Sequence, residues 1–123
     1  MKPVILIPTY NESIAIVELL NKLATLHNVR DFDVVVLDDN SPDKTADIVD
    51  SMNLPWVSVL RRPGKAGLGA AYRAGFAEVL DKAQYDQFVT MDADGSHQVK
   101  DLSAMFEGIK PGKSIVLGTR WIV

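Results

Sequence analysis

The chain of 123 residues contains no cysteine. That removes disulfides and thiolate metal sites together, and it fits a cytosolic location. Long apolar runs are missing too. Residues 4–7 form a run of strand length, too short for a signal-peptide core or a membrane span. Positive charge is not in excess, and a net charge of −3 gives no footing for wholesale nucleic-acid binding. The sequence has no internal repeat, low-complexity tract or linker. What it does have is an ordinary folded composition, 47% hydrophobic and 24% charged, in a length that supports one core rather than two. The chain stops at Trp121-Ile122-Val123, apolar and uncapped, directly after a predicted strand. Natural ends are more often polar, so the expectation is a piece of a longer protein.

Apolar runs at 4–7, 33–37, 56–60, 87–91 and 114–117 read as strands. Helices are predicted between them. The first, capped by Asn11 or Ser13, runs to His27 with Ile16, Leu20 and Leu23 on one face. The others cover 45–52, 70–81 and 99–109. Strands alternating with helices predict a Rossmann-like α/β fold, a mostly parallel sheet with helices on both faces. Ligands of such sheets bind beyond the carboxyl ends of the strands. Every unusual stretch of this chain follows a strand: 8–12, 38–41, 61–69, 92–97 and 118–120.

The organising stretch is 88–97, where an apolar run delivers Asp92 and Asp94 into a turn. Two carboxylates this close are costly unless a cation sits between them. Mg²⁺ or Mn²⁺ suits oxygen ligands and keeps positions for substrate phosphates. The residues therefore read as a metal–diphosphate site, or else as an Asp-Gly turn with a helix cap behind it. Asp38 and Asp39 close the second predicted strand, and one of these carboxylates can accept hydrogen bonds from a ribose or base. Asn40, Pro42 and Asp43 belong equally to a turn and cap. Arg61, Arg62, Lys65 and Arg73 surround a glycine-rich turn. There Gly67 and Gly69 let backbone approach a ligand, and the next helix presents its N-terminus. At least one of Arg61 and Arg62 reads as ordinary solvated surface. The loop lacks the upstream glycine and Ser/Thr of a Walker A loop, and Tyr72 stands where a dinucleotide fingerprint has its third glycine. An EF-hand fails because Ser103 stands at its twelfth position. His97 reads as a metal ligand or phosphate contact, His27 as a helix C-terminal residue, and Tyr10 and Trp121 as stacking or packing residues.

Asp92-Ala93-Asp94-Gly95 resembles the aspartate motif of haloacid-dehalogenase-like phosphatases, whose first Asp is a nucleophile, although that motif belongs on the first strand. A wider resemblance is carried by five motifs in order: Ile7-Pro8-Thr9-Tyr10-Asn11-Glu12, Leu37-Asp38-Asp39-Asn40-Ser41-Pro42-Asp43, Gly67-Leu68-Gly69, Met91-Asp92-Ala93-Asp94 and Gly118-Thr119-Arg120. Together they resemble the family 2 glycosyltransferases of GT-A fold, in the branch of dolichol- or polyprenol-phosphate mannose synthases. The resemblance implies an inverting transfer of mannose from GDP-mannose to a polyprenyl phosphate, with Mg²⁺ or Mn²⁺. The sister branch uses UDP-glucose. By position, Pro8, Tyr10 and Glu12 border the base and ribose, and Asp39 contacts the nucleoside. Lys65 and Gly67 join the nucleotide site. Asp92 and Asp94 hold metal and diphosphate, and Arg120 meets the acceptor phosphate or the leaving diphosphate. Ser96 stands where many members complete the metal shell with Gln. The resemblance makes residues 1–123 the nucleotide-binding portion of a GT-A domain whose acceptor-binding portion is missing. Such a piece is not expected to turn over alone. The whole protein is expected at the cytoplasmic face of a membrane, and the piece to self-associate or to carry a disordered tail after Lys113.

Overall fold

The computed structural model describes residues 2–64, 67–82, 84–94, 99, 102, 106 and 115–117. Its elements are β1 (Lys2–Thr9), α1 (Ser13–His27), β2 (Asp33–Asp38), α2 (Thr45–Ser51), β3 (Val57–Arg61), α3 (Leu68–Asp81), β4 (Tyr85–Thr90) and β5 (Ile115–Leu117). The strands form a parallel sheet in the order β3-β2-β1-β4-β5. This is the expected α/β architecture, with β1 rather than a peripheral strand at its centre.

The uninterrupted apolar runs follow from burial on both faces. Val4, Ile5, Leu6 and Ile7 are all fully buried. Alternate residues of one strand enter opposite cores, as period-two geometry requires. Ile5, Ile7, Val34, Val36 and Val89 face one core with Ile16, Leu20 and Leu23 of α1, Val49 of α2, Leu102 and Phe106. Val4, Leu6, Val35, Leu37 and Phe88 face the other with Ala71 and Val79 of α3. Leu102 and Phe106 are helical, within the span predicted as helix over 99–109. α3 lies close on the sheet: a Cβ added at Gly75 would come within 2.8 Å of Leu37 Cδ1.

Several boundaries differ from expectation. β1 is longer at both ends, and α3 begins at Leu68 instead of residue 70. β3 and β4 run to Arg61 and from Tyr85, so Met91 already lies outside its strand. Neither Asn11 nor Ser13 caps α1. Glu12 occupies the cap position without a side-chain capping bond. Instead Ser13 donates its N–H to Asp43 Oδ2 at 3.1 Å, so the cap comes from the β2–α2 loop. The expectations placed on residues 118–123, on His97 and on the stretch after Lys113 lie outside the described residues, apart from β5.

Candidate nucleotide and metal site

The sheet changes winding direction between β1 and β4, because β2 and β3 extend to one side of β1 and β4 and β5 to the other. A crevice forms at such a point beyond the carboxyl ends. The register deepens it here. Thr90 ends β4 opposite Leu6, whereas β1 continues to Thr9 opposite Asp38. The Asp92–Asp94 turn therefore lies alongside the end of β1 rather than above it. The resulting cleft has a volume of about 370 Å³. Pro8 and Thr9 at the end of β1 line it with Tyr10 and Glu12 of the following loop, Asp39 just past β2, Gly67 and Ala71 at the start of α3, and Asp92, Ala93 and Asp94 in the turn after β4.

The two carboxylates that close β2 have separate tasks. Asp38 is 2% exposed and is saturated internally. Its Oδ1 accepts Thr9 Oγ1 at 2.7 Å and Ser41 Oγ at 2.6 Å, and its Oδ2 accepts the Ser41 N–H at 3.1 Å. Hydrogen bonds to a charged group are worth about 1.5–3 kcal/mol each, so Asp38 is a loop anchor. Asp39 lines the cleft instead, and Arg62 Nε lies 2.6 Å from its Oδ1.

The loops after β1 and β2 are tied to each other. Asn11 donates its N–H to Ser41 Oγ at 3.0 Å, and Asp43 donates its own to Asn11 Oδ1 at 3.3 Å. Asp43 also accepts Thr45 N–H at 3.1 Å, at the start of α2. Asn11 and Asn40 have φ of 52° and 54°, a left-handed geometry that asparagine tolerates better than most residues. Gly67, at φ 92°, turns the chain into α3 with open space where a Cβ would stand.

Arg61 turns out to serve α2. It pairs with Asp47 at 3.0 Å and Asp50 at 2.6 Å on the exposed side, which matches the reading of one arginine as ordinary surface. Lys65, Ser96 and Arg120 lie outside the described residues. Of the predicted site residues, the structure gathers Pro8, Tyr10, Glu12, Asp39, Gly67, Asp92 and Asp94 into one cleft.

The described lining holds four carboxylates, Glu12, Asp39, Asp92 and Asp94, and no lysine or arginine. Glu12 feels this crowding. Burial pushes its carboxyl above the ordinary 4.5, the Tyr10 N–H at 3.1 Å opposes that, and the charges of Asp94, Asp92 and Asp43 push it higher. Behind the turn, burial and then the charge of Asp92 drive the Tyr72 phenol up to about 12, against a hydrogen bond with Thr90. Tyr72 thus stays protonated beside Asp92. Among the described residues no cluster of three or more His, Cys, Asp or Glu side chains could enclose a metal by itself. A hard carboxylate pair on an open cleft does fit an ion that fills its remaining positions with water and phosphate oxygens.

Sequence reasoning missed Thr9 and Ala71 in the lining, the anchoring of Asp38, and the contact of Arg62 with Asp39. Spacing carries no signal for the last, since the two residues stand on neighbouring strand ends.

Residues 4–123 match the family described as Glycosyl transferase family 2. The chain is 43% identical over 122 residues to an undecaprenyl-phosphate mannosyltransferase of Micrococcus luteus, covering 98% of this chain and 49% of that one. It is 36% identical over 124 residues to a polyprenol monophosphomannose synthase of Mycolicibacterium smegmatis, covering 98% and 46%. The chain thus spans about half the length of these curated relatives. Its fold is similar to a mannosyltransferase of Pyrobaculum calidifontis solved with GDP-Man and Mn²⁺, with a TM-score of 0.66 and 24% identity over 84% of this chain and 30% of that one.

Proposed function

Because the chain belongs to glycosyl transferase family 2, we propose that it forms the nucleotide-sugar side of an inverting polyprenyl-phosphate mannosyltransferase, a GT-A domain whose acceptor-binding part lies outside residues 1–123. The observation that carries this reading is the cleft between β1 and β4. The four carboxylates of its described lining would repel a diphosphate, and a divalent cation entering with it would offset that repulsion. Mannose transfer to a polyprenyl phosphate is supported by the names of the Micrococcus and Mycolicibacterium relatives, and GDP-mannose as donor by the Pyrobaculum mannosyltransferase of similar fold, which was solved with GDP-Man.

Asp92 and Asp94 would hold Mg²⁺ or Mn²⁺, with Ser96 as a further oxygen donor. When bound, the ion supplies Lewis-acid stabilisation of the leaving diphosphate. Pro8 and Tyr10 border the base, Glu12 the ribose, and Asp39 accepts hydrogen bonds from the nucleoside. Gly67 brings backbone N–H groups of α3 toward the phosphates, where a helix N-terminus favours anions, and Lys65 adds positive charge. Arg120 meets the acceptor phosphate or the departing diphosphate. The acceptor oxygen attacks the sugar C1 as the C1–O bond to the diphosphate breaks. A phosphate monoester is largely ionised near neutral pH, with a second pKa of about 6, so no strong general base is required. Family membership speaks against the reading of Asp92 as a phosphatase nucleophile, and β1, where that motif would belong, carries Pro8–Glu12 instead.

A polyprenyl acceptor places the reaction at a membrane surface, on its cytoplasmic face in this reading. Among the described residues no helix is long and apolar enough to cross a membrane. Calorimetry tests the proposal. GDP should bind with Mn²⁺ and much more weakly with EDTA, and UDP should bind less tightly than GDP. Metal-independent affinity would refute it.

A further inference from the structure

Arg62 is the basic residue that the cleft does not show and the loop does not explain. It leaves β3 one residue after Arg61, with its N–H donated to Asp38 O at 2.8 Å. Its Nη1 donates to Ala70 O in the first turn of α3 at 2.7 Å. Its Nε lies 2.6 Å from Asp39 Oδ1, both side chains being close to fully buried, at 12% and 8% exposure. One planar guanidinium therefore joins the end of β2, the end of β3 and the start of α3.

The pair is close but not aligned. Neither Asp39 Oδ1 nor Arg62 Nε has a hydrogen-bonding partner in proper geometry among the described residues. Buried polar atoms of this kind demand an explanation, and a buried carboxylate left without its cation would cost several kcal/mol. Asp39 is at the same time part of the cleft wall. A carboxylate with one oxygen steered by a rigid guanidinium has its other oxygen's direction constrained as well.

We propose that Arg62 is a positioning residue for nucleoside recognition, holding the Asp39 carboxylate oriented at the cleft wall while touching no ligand itself. The inference rests on the nucleotide reading above, and it adds that base recognition depends on a residue outside the cleft. Lysine cannot replace it fully, because an ammonium lacks the fork that reaches Asp39 and Ala70 together.

The test is a double-mutant cycle on affinity for GDP, with UDP in parallel, both in Mn²⁺. The proteins are the wild-type chain, Arg62→Met, Arg62→Lys, Asp39→Asn and the Asp39→Asn/Arg62→Met double variant. Arg62→Met and Asp39→Asn should each weaken binding tenfold or more. The double variant should be no weaker than Asp39→Asn alone, and Arg62→Lys should fall between wild type and Arg62→Met. A purely structural arginine would give losses that multiply in the double variant, and that result overturns the proposal, as does wild-type affinity in Arg62→Met. The double variant buries no charge from this pair, so comparing it with Asp39→Asn decides the matter even if Arg62→Met does not fold. A wild-type chain that binds neither nucleotide refutes the nucleotide reading, and this inference with it. Normal wild-type binding with an uncoupled Arg62 refutes the inference alone.

Discussion

At the scale of single residues, the cleft sets its charge against its own stability. Glu12 has a folded pKa above its unfolded 4.5, so the folded state holds that proton more tightly. The ionised form costs stability at neutral pH, and the cost is relieved as pH falls through the raised pKa toward 4.5. Glu12→Gln keeps an oxygen for the Tyr10 N–H and removes the charge. It should melt slightly higher than wild type at pH 7, and the difference should shrink as the pH approaches 4.5. Glu12 is only half-buried, so solvent screening keeps the shift small. Melting curves across this range would check it, and a variant that melts lower at pH 7 would contradict it. Asp92→Asn tests the same tension where the chemistry is proposed. It relieves repulsion among the carboxylates, so the ligand-free chain should be at least as stable as wild type. The stabilisation that Mn²⁺ with GDP gives to wild type, about 2.7 kcal/mol at a hundredfold excess over Kd, should vanish. Asp38→Asn should behave in the opposite way. It damages the loop anchor and lowers stability whether or not ligand is present.

The elements show where pattern reading succeeded and where it stopped. Apolar runs, unbroken in β1 but interrupted by residues such as Ser58 in β3, identified the five described strands; burial on both faces explains the unbroken run Val4–Ile7. The winding of the sheet was legible only as a class: nothing local in β4 states that it pairs with β1. Caps were misread for a physical reason. Asn11 and Ser13 have the right chemistry for capping α1, yet the Ser13 N–H goes to Asp43, which lies 30 residues away. Asp43 also receives Thr45 N–H and Thr45 Oγ1 at the start of α2. Asp43→Ala should therefore uncap two helices at once. With about 1 kcal/mol for a typical cap, a loss near 2 kcal/mol is expected in urea unfolding, and a loss under 0.5 kcal/mol would show that the loops re-pair without it. Gly75 makes the matching point for α3. Alanine would gain helix propensity of up to about 1 kcal/mol, but its Cβ would meet the buried Leu37 side chain at 2.8 and 2.9 Å. Overpacking costs about 1–3 kcal/mol, so the bulkier Gly75→Val should destabilise on balance. An unchanged urea midpoint would mean that α3 can lift from the sheet.

Across the whole molecule, the site is a product of topology as much as of motifs. Pro8–Glu12, Asp39 and Asp92–Asp94 are far apart in the chain and meet because three parallel strands end on one side. The placement of all these residues on one rim was legible from the alternation of strands and helices. The offset between β1 and β4 was not, because it is fixed by pairing register and not by any residue's preference. The same pairing governs the order in which the molecule can be made. Synthesis delivers β1, β2 and β3 before β4. The strand that ends at the centre of the sheet is thus born at its border. One flank of β1 keeps its backbone donors and acceptors unpaired until Tyr85–Thr90 has left the ribosome. An exposed apolar border recruits other strands, and Val4–Ile7 is apolar on both faces. Nascent chains arrested near residue 80 should therefore sediment as aggregates or be held by chaperones. The full chain, released at the same rate, should remain in the supernatant.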